Sequence, residues 1–346
     1  MIIYSKTSQT PAAYGKIDTP IKMVIEHESD ILAKKGGIRD WLFNVEKSSR
    51  FGETIINEKD FNIFKATAEG NGAESDEIIE TGKKFIEHVQ FTKEFIISAE
   101  MMEDAVYGVA SDAKRRAENF TRAYYKTMNK LCEAALINAT KEEIYYAGAK
   151  IDLTAPDGLP LFHFNHSANG LSQSNYSSGN LVKGGTAREY STEVFEEALS
   201  LLSVHMRNMK DENGDPLGYA ADTIILPGNR PKLESIVKKV CGSEMATGNG
   251  YNDINLHYGN WNVIVLPGWT PSDDRLMIMS SEANKNLAGN MFFNRVPLTV
   301  TNWVDHHTGN YIWNGRCRFG VGFGSYKHII LAVDSETQLQ NSSRLV

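Results

Sequence analysis

Residues 98–139 read SAEMMEDAVYGVASDAKRRAENFTRAYYKTMNKLCEAALINA. Apolar or small side chains recur at Met102, Val106, Val109, Ala113, Ala117, Phe120, Tyr124, Met128, Leu131 and Ala135. Every step is three or four residues, the period that lines one face of an α-helix. Ser98 is a suitable N-cap, no proline interrupts the run, and Gly108 is the single breaker inside it. A helix over 99–139 is therefore expected, and about 40 residues at 1.5 Å each make it roughly 60 Å long. That length suits a strut, and the lack of Leu or Ile at both seam positions of a heptad disfavours a coiled coil. The first turn is acidic, with Glu100, Glu103 and Asp104, which suits the helix dipole. The centre is basic, with Lys114, Arg115, Arg116, Arg122, Lys126 and Lys130. A basic run of this kind is ordinarily a solvated face; a phosphate backbone or an acidic loop of a neighbouring copy are the alternatives.

Upstream, FNIFKAT (61–67) and FIEHVQFTKEFII (85–97) flank the polar, acidic stretch EGNGAESDEIIETG (69–82). In the second run Phe85, Val89, Phe91, Phe95 and Ile97 share one parity, as in a strand with one apolar face. Two strands around a Gly-rich tip make a long hairpin, and a lone two-stranded hairpin is at best marginally stable in water. It must lie on its own domain or on another surface. Residues 1–50, including IKMVIEHESDILAKKGGIRDWLF (21–43), mix short apolar pieces with charge and show no long period, so they read as an arm that needs a partner surface.

Downstream, the Gly, Ser and Asn-rich connection 151–185 leaves room only for short regular pieces. A helix follows from Ser191, with Val194, Phe195, Ala198, Leu201, Leu202 and Met206 on one face. ADTIILPGNRPKLESIVKKV (221–240) is a buried strand, a Pro-Gly stop and another helix. The cadence returns in WNVIVLPGW (261–269), too short a likeness to prove a duplication. Four β-rich runs remain: DRLMIMSS, PLTVTNWVD, YIWNGRCRFGVGFGS and KHIILAV. The layout is α+β.

The 346 residues, 41% hydrophobic and 23% charged, exclude wholesale disorder and allow one large or two modest cores. A net charge of −7 advertises no dedicated nucleic-acid-binding domain. Cys132, Cys241 and Cys317 lie far apart, so neither a disulfide framework nor a zinc knuckle is written, and a reducing cytoplasm is expected. No signal-peptide core and no run of about 18 apolar residues is present, so a soluble intracellular chain is expected, in which the glycosylation patterns at Asn119 and Asn175 carry no weight. His163 and His166 in HFNH lie in a Pro/Gly-flanked loop and read as hydrogen-bonding residues. His306 and His307 in DHHTG read as a hairpin tip. GVGFGS (320–325) is not a dinucleotide fingerprint, because no helix follows it. No phosphate loop, nucleophile elbow or HExxH occurs.

The order of these parts resembles the Hong Kong 97-type major capsid fold of tailed phages over nearly the whole chain. FTKEFIISAEMMEDA looks like the hairpin return running into the spine helix, LFHFNHSANG and DTIILPGN look like segments of Mu-like major head subunits, and RCRFGVGFGSYKHIILA resembles the last strands. The resemblance implies an N-arm (1–50), an extended loop (51–97), a peripheral domain (98–190) with its spine helix (99–139), and an axial domain (191–290). Returning strands (291–333) and a polar tail (334–346) complete it. It implies a structural subunit with no catalytic residue, metal or cofactor, self-assembling into pentamers and hexamers of a phage head that encloses double-stranded DNA. Expected partners are further copies, a scaffolding protein, a portal and DNA held by weak non-specific contact, with no membrane. Assembly belongs in the host cytoplasm and the product in the virion. Residues 242–260 are expected at the symmetry axes. Neither Lys83 nor Lys84 has an identifiable cross-linking partner, so assembly is expected to be non-covalent. Charge opposition suggests that Glu74, Asp76 and Glu77 at the hairpin tip meet Arg115, Arg116 and Arg122 of a neighbour. The rivals are an encapsulin-type cargo compartment and a metal-dependent α+β enzyme using the His163/His166 and His306/His307 clusters.

Overall fold

A computed structural model describes residues 3–4, 12–61, 63–67, 69, 71–72, 75–77, 79–100, 109–168, 170–184, 188–244 and 255–335. The chain divides into two compact units. The first comprises Met1–Glu53, Ile86–Cys132 and Phe292–Val321; the second comprises Thr54–Phe85, Glu133–Met291 and Gly322–Val346.

The first unit is built on a five-stranded sheet whose central strands are Asn290–Val304 and Tyr311–Phe323. Strand Val89–Ile97 runs antiparallel along the second of these, with Phe91 opposite Cys317 and Phe95 opposite Trp313. The long helix Val109–Ile137 buries Ala113, Ala117, Phe120 and Met128, the stripe expected from the sequence. Residues 101–108 of the expected helix lie outside the described residues. Its far end comes two residues before Ala139, because Asn138 turns its side-chain amide onto the Ala134 carbonyl at 3.0 Å and a turn begins. Phe120 joins Ile21, Ile25, Ile97, Leu298 and Trp313 in one apolar cluster. Gly315 makes that packing possible: a Cβ there would sit 2.3 Å from the Phe120 ring.

Residues 12–35 form a 24-residue helix, so the N-terminal arm is more regular than its sequence suggests. Ile21 and Ile25 are buried, Glu28 Oε1 accepts from Arg122 Nε at 2.6 Å, and Ser29 Oγ lies 2.9 Å from the Tyr125 hydroxyl. Those partners come from the long helix, some 90 residues away in sequence and invisible to a local reading of period.

The second unit holds a five-stranded sheet in the order Tyr176–Gly179, Ile329–Asp334, Arg275–Met279, Thr223–Pro227, Asn262–Leu266. Thr223–Pro227 and Asn262–Leu266 pair in parallel, with helix Pro231–Gly242 between them in sequence as the crossover. The two Leu-Pro-Gly stops therefore lie side by side. Gly228 N donates to Leu266 O at 3.0 Å, and a Cβ on Gly228 would come within 2.9 Å of Pro267 Cα. Helix Thr192–Arg207 starts at Ser191, whose hydroxyl accepts from Val194 N. Its buried face is Phe195, Ala198, Leu199, Leu202, His205 and Met206; Leu199 and His205 take the places expected of Val194 and Leu201, which are half-buried. Among the described residues no helix is long and apolar enough to cross a membrane.

Candidate interaction surfaces

The hairpin differs from its expected course. Its outgoing strand is Gly52–Glu58, paired with Glu80–Glu87, and the described residues of 61–67 carry no strand. The predicted return run is two strands separated at His88. Lys84, Ile86 and His88 are buried on one parity; beyond the break Val89, Phe91 and Phe95 are half-buried and Ile97 buried on the other. Phe85, grouped with the apolar face by parity, is 49% exposed. A one-residue step reverses every facing of a strand, and such a step is silent in hydrophobicity alone.

The hairpin's inner face rests on its own unit. Lys84 Nζ reaches Asp152 Oδ1 at 2.6 Å and donates to Thr154 Oγ1 at 2.7 Å. Burial pushes the Lys84 ammonium below its usual range against the pull of Asp152. Burial alone would raise the Asp152 carboxyl, and hydrogen bonds from Lys84 and Thr154 outweigh it and hold the group low. Gly82 lies against Pro156, with room for no Cβ: one would approach to 2.9 Å. Asn57 Nδ2 donates to Gly324 O at 3.0 Å, and Asn213 Nδ2 donates to Asp60 O at 2.8 Å. Alongside these contacts a polar cavity of about 250 Å³ is lined by Asn57, Thr81, Asp157, Glu212 and Tyr326. The ion pair Lys327–Glu212 borders it.

Past Asp60 that support ends in apolar side chains facing solvent. Phe61 is 75% exposed, Ile63 79% and Phe64 105%. Scattered apolar residues on a surface are ordinary, whereas three within four positions form a local apolar patch. The acidic part of the tip follows: Asp76 is half-buried, Glu77 is exposed, and Glu74 lies outside the described residues.

The basic residues of the long helix divide. Arg122 pairs with Glu28, which holds its guanidinium above the usual range. Arg116 donates to the Ile96 carbonyl, and Arg115 lies 2.9 Å from Asp112. Lys126 and Lys130 are exposed on the same helix. Arg116 and Arg122 thus already act within the first unit, a role that charge counting alone does not reveal.

The histidines do not converge on a metal-binding geometry. His166 is fully buried: Nδ1 lies 2.6 Å from Asp157 Oδ2 and Nε2 lies 3.1 Å from Leu161 O, so neither nitrogen is presented to a metal. Its ring stacks on Tyr326 at 3.9 Å. His163 Nδ1 accepts from Asn165 N at 3.2 Å. His306 and His307 occupy the turn after Asp305, in the other unit. All three cysteines are free and buried, and burial raises the thiols, Cys241 to about 11 and Cys317 to about 12, so none is a ready nucleophile.

No protein-family model matches the chain, and no curated protein matches it. Solved structures do. A chain in the capsid structure of the cyanophage P-SCSP1u matches with a TM-score of 0.51 at 9% identity, covering 87% of this chain and 89% of that one. The capsid of the Myoviridae phage XM1 matches at 0.49 and 13% identity, covering 86% and 92%. The virus-like particle from Pyrococcus furiosus matches at 0.47 and 9% identity, covering 91% and 98%. The similarity to the cyanophage capsid chain, extending over 87% of this chain, shows that this protein has the α+β fold of the Hong Kong 97-type capsid subunits.

Proposed function

We propose that the chain is a structural, non-catalytic subunit that assembles with copies of itself into the icosahedral head of a tailed phage. The observation that carries this reading is the hairpin tip. Its strands are held by their own unit, yet Phe61, Ile63 and Phe64 are left in water. Covering each of these on a neighbouring copy contributes on the order of 1.5–3 kcal/mol. In a closed lattice that modest contact repeats at every subunit, so the sum is large even where one contact is weak. The fold shared with the cyanophage capsid chain supports the same reading.

On this reading residues 1–50 are the N-arm, 51–97 the extended loop, 98–190 the peripheral domain with its spine helix, 191–290 the axial domain and 291–333 the returning strands. Glu74, Asp76 and Glu77 then face the basic helix of a neighbour, where Arg115, Lys126 and Lys130 are exposed and Arg116 and Arg122 add charge while keeping their bonds to Ile96 and Glu28. Residues 242–260 meet around the symmetry axes. Pentamers and hexamers enclose double-stranded DNA through weak contact, with a scaffolding protein and a portal as partners, and the subunit ends in the virion.

Size-exclusion chromatography of the purified chain, with negative-stain microscopy of each peak, tests this. Shells, capsomers or open sheets are expected. A monomer that persists at high concentration, under crowding and with a scaffold supplied would refute it.

A further inference from the structure

The chain leaves the first unit after Glu53 and re-enters it at Ile86. A line of side chains within that unit, buried at Ser48 and His88 and half-buried at Glu53, joins the two crossings. Ser48 Oγ donates to Glu53 Oε1 at 2.6 Å and lies 2.7 Å from His88 Nε2. The single hydroxyl proton of Ser48 is committed to the carboxylate, so the imidazole supplies the hydrogen in the second bond. His88 therefore carries its proton on Nε2 and leaves Nδ1 as a bare lone pair. The same assignment removes a catalytic reading, because a serine whose oxygen accepts from histidine is not being activated by it. Arg50 N adds a further donor to Ser48 Oγ at 3.2 Å.

Ser48 and His88 are 8% and 3% exposed, and His88 Nδ1 is buried with no hydrogen-bond partner. It faces Gly320, where an added Cβ would approach Nδ1 to 2.9 Å and the Glu87 carbonyl to 2.7 Å. We propose that His88 is a proton-sensitive latch at the root of the hairpin. Neutral, it ties the start of the returning segment to Ser48 and Glu53 at the start of the outgoing one. Protonated on Nδ1, it places an N–H and a positive charge where no acceptor waits, and the root loosens.

The charged neighbours divide in sign, and burial decides the balance. Burial is the largest influence and opposes the charged ring; Glu53 favours it, Arg318 and Arg295 oppose it, and Glu87 favours it, leaving the group below the usual imidazole range. Arg318 is fixed nearby, its guanidinium 3.4 Å from His88 O, and the Phe293 ring lies 6.2 Å away. A depressed folded-state value means that the latch is intact above the ordinary imidazole range and weakens as pH falls from there through the folded value. This inference goes beyond shell formation and stands or falls on the single subunit.

Hydrogen–deuterium exchange of the full chain tests it, with mass spectrometry of residues 44–58 and 80–91 at about pH 7.5 and about pH 5, corrected for intrinsic rates. The expected result is a several-fold loss of protection in both segments at the lower pH. His88→Gln, which keeps an amide donor and cannot titrate, should hold its protection. Exchange of the histidine ring C–H in the unaltered chain should place the His88 titration in the same pH interval as that loss. An equal loss in His88→Gln would overturn the latch, as would no loss in the unaltered chain. If the variant fails to fold, the unaltered chain decides: coincident curves for ring titration and loss of protection support the latch, and separated curves overturn it.

Discussion

The tripeptide Thr-Ile-Ile occurs twice in this chain, at 54–56 in the hairpin and at 223–225 in the central sheet of the second unit. In the sheet all three side chains are buried, Ile224 and Ile225 completely. In the hairpin Thr54 is exposed, Ile55 is half-buried and Ile56 is 45% exposed. Identical local propensity thus yields a closed core in one place and an open edge in the other. The difference lies in what covers each strand: helices Thr192–Arg207 and Pro231–Gly242 share an apolar cluster with Ile224, whereas strand Gly52–Glu58 pairs, among the described residues, with Glu80–Glu87 alone. A strand that its own chain leaves half-covered is the natural place for another copy to act.

The sharpest way to break this comparison is to truncate both copies. Ile225→Ala should cost about 2–5 kcal/mol in urea unfolding of the dispersed subunit, and Ile56→Ala about 0.5 kcal/mol or less. Equal losses would erase the distinction. Next in size is the fastening of the hairpin. Asp152→Asn leaves the buried Lys84 ammonium without its carboxylate, a loss of about 1–3 kcal/mol once the half-exposed position of Asp152 is discounted. Because the Asp152 carboxyl is held low in the folded state, that contribution is present above the ordinary carboxylate range and disappears as pH falls through the folded value.

Acid should also weaken the second unit through its buried neutral imidazoles. Burial pushes His328 down to about 3 and lowers His205 as well. Their stability is complete above the ordinary imidazole range and declines as pH drops toward about 3, which urea midpoints measured across that interval will show. A flat profile there would mean that these rings open to water.

The tip predicts the opposite balance. Phe61→Ser, Ile63→Ser and Phe64→Ser combined should change subunit stability by no more than about 0.5 kcal/mol while abolishing assembled particles in micrographs. Particles that form unimpaired would remove the tip from the interface. The smallest effect is expected from charge: Glu74→Lys, Asp76→Lys and Glu77→Lys together should impair assembly most at low salt, since screening weakens exposed pairs. Shells unaffected at every ionic strength would end the charge-opposition reading.

Much of the fold was legible before any coordinate. The helix period through Ala113, Ala117, Phe120 and Met128, the Ser191 cap, and the strands ending in the two Leu-Pro-Gly stops all follow from local spacing and turn chemistry. The helix at 12–35 did not, because what holds it is tertiary: Ile21 and Ile25 enter the cluster around Phe120 and Trp313, and Glu28 and Ser29 meet Arg122 and Tyr125. Nor did the candidate site. Parity assigned Phe85 to the buried face, and only the step at His88 shows that Lys84 and Ile86 point inward instead.

By itself the sequence determined which segments are helix or strand wherever period, capping and turn residues act within one run of chain. The tertiary structure alone decided which of two identical Thr-Ile-Ile strands is covered, which arginines are already engaged, and where His88 finds Ser48. Each of those outcomes depends on contacts between residues distant in sequence, and burial, charge pairing and proton affinity are set by those contacts rather than by residue type.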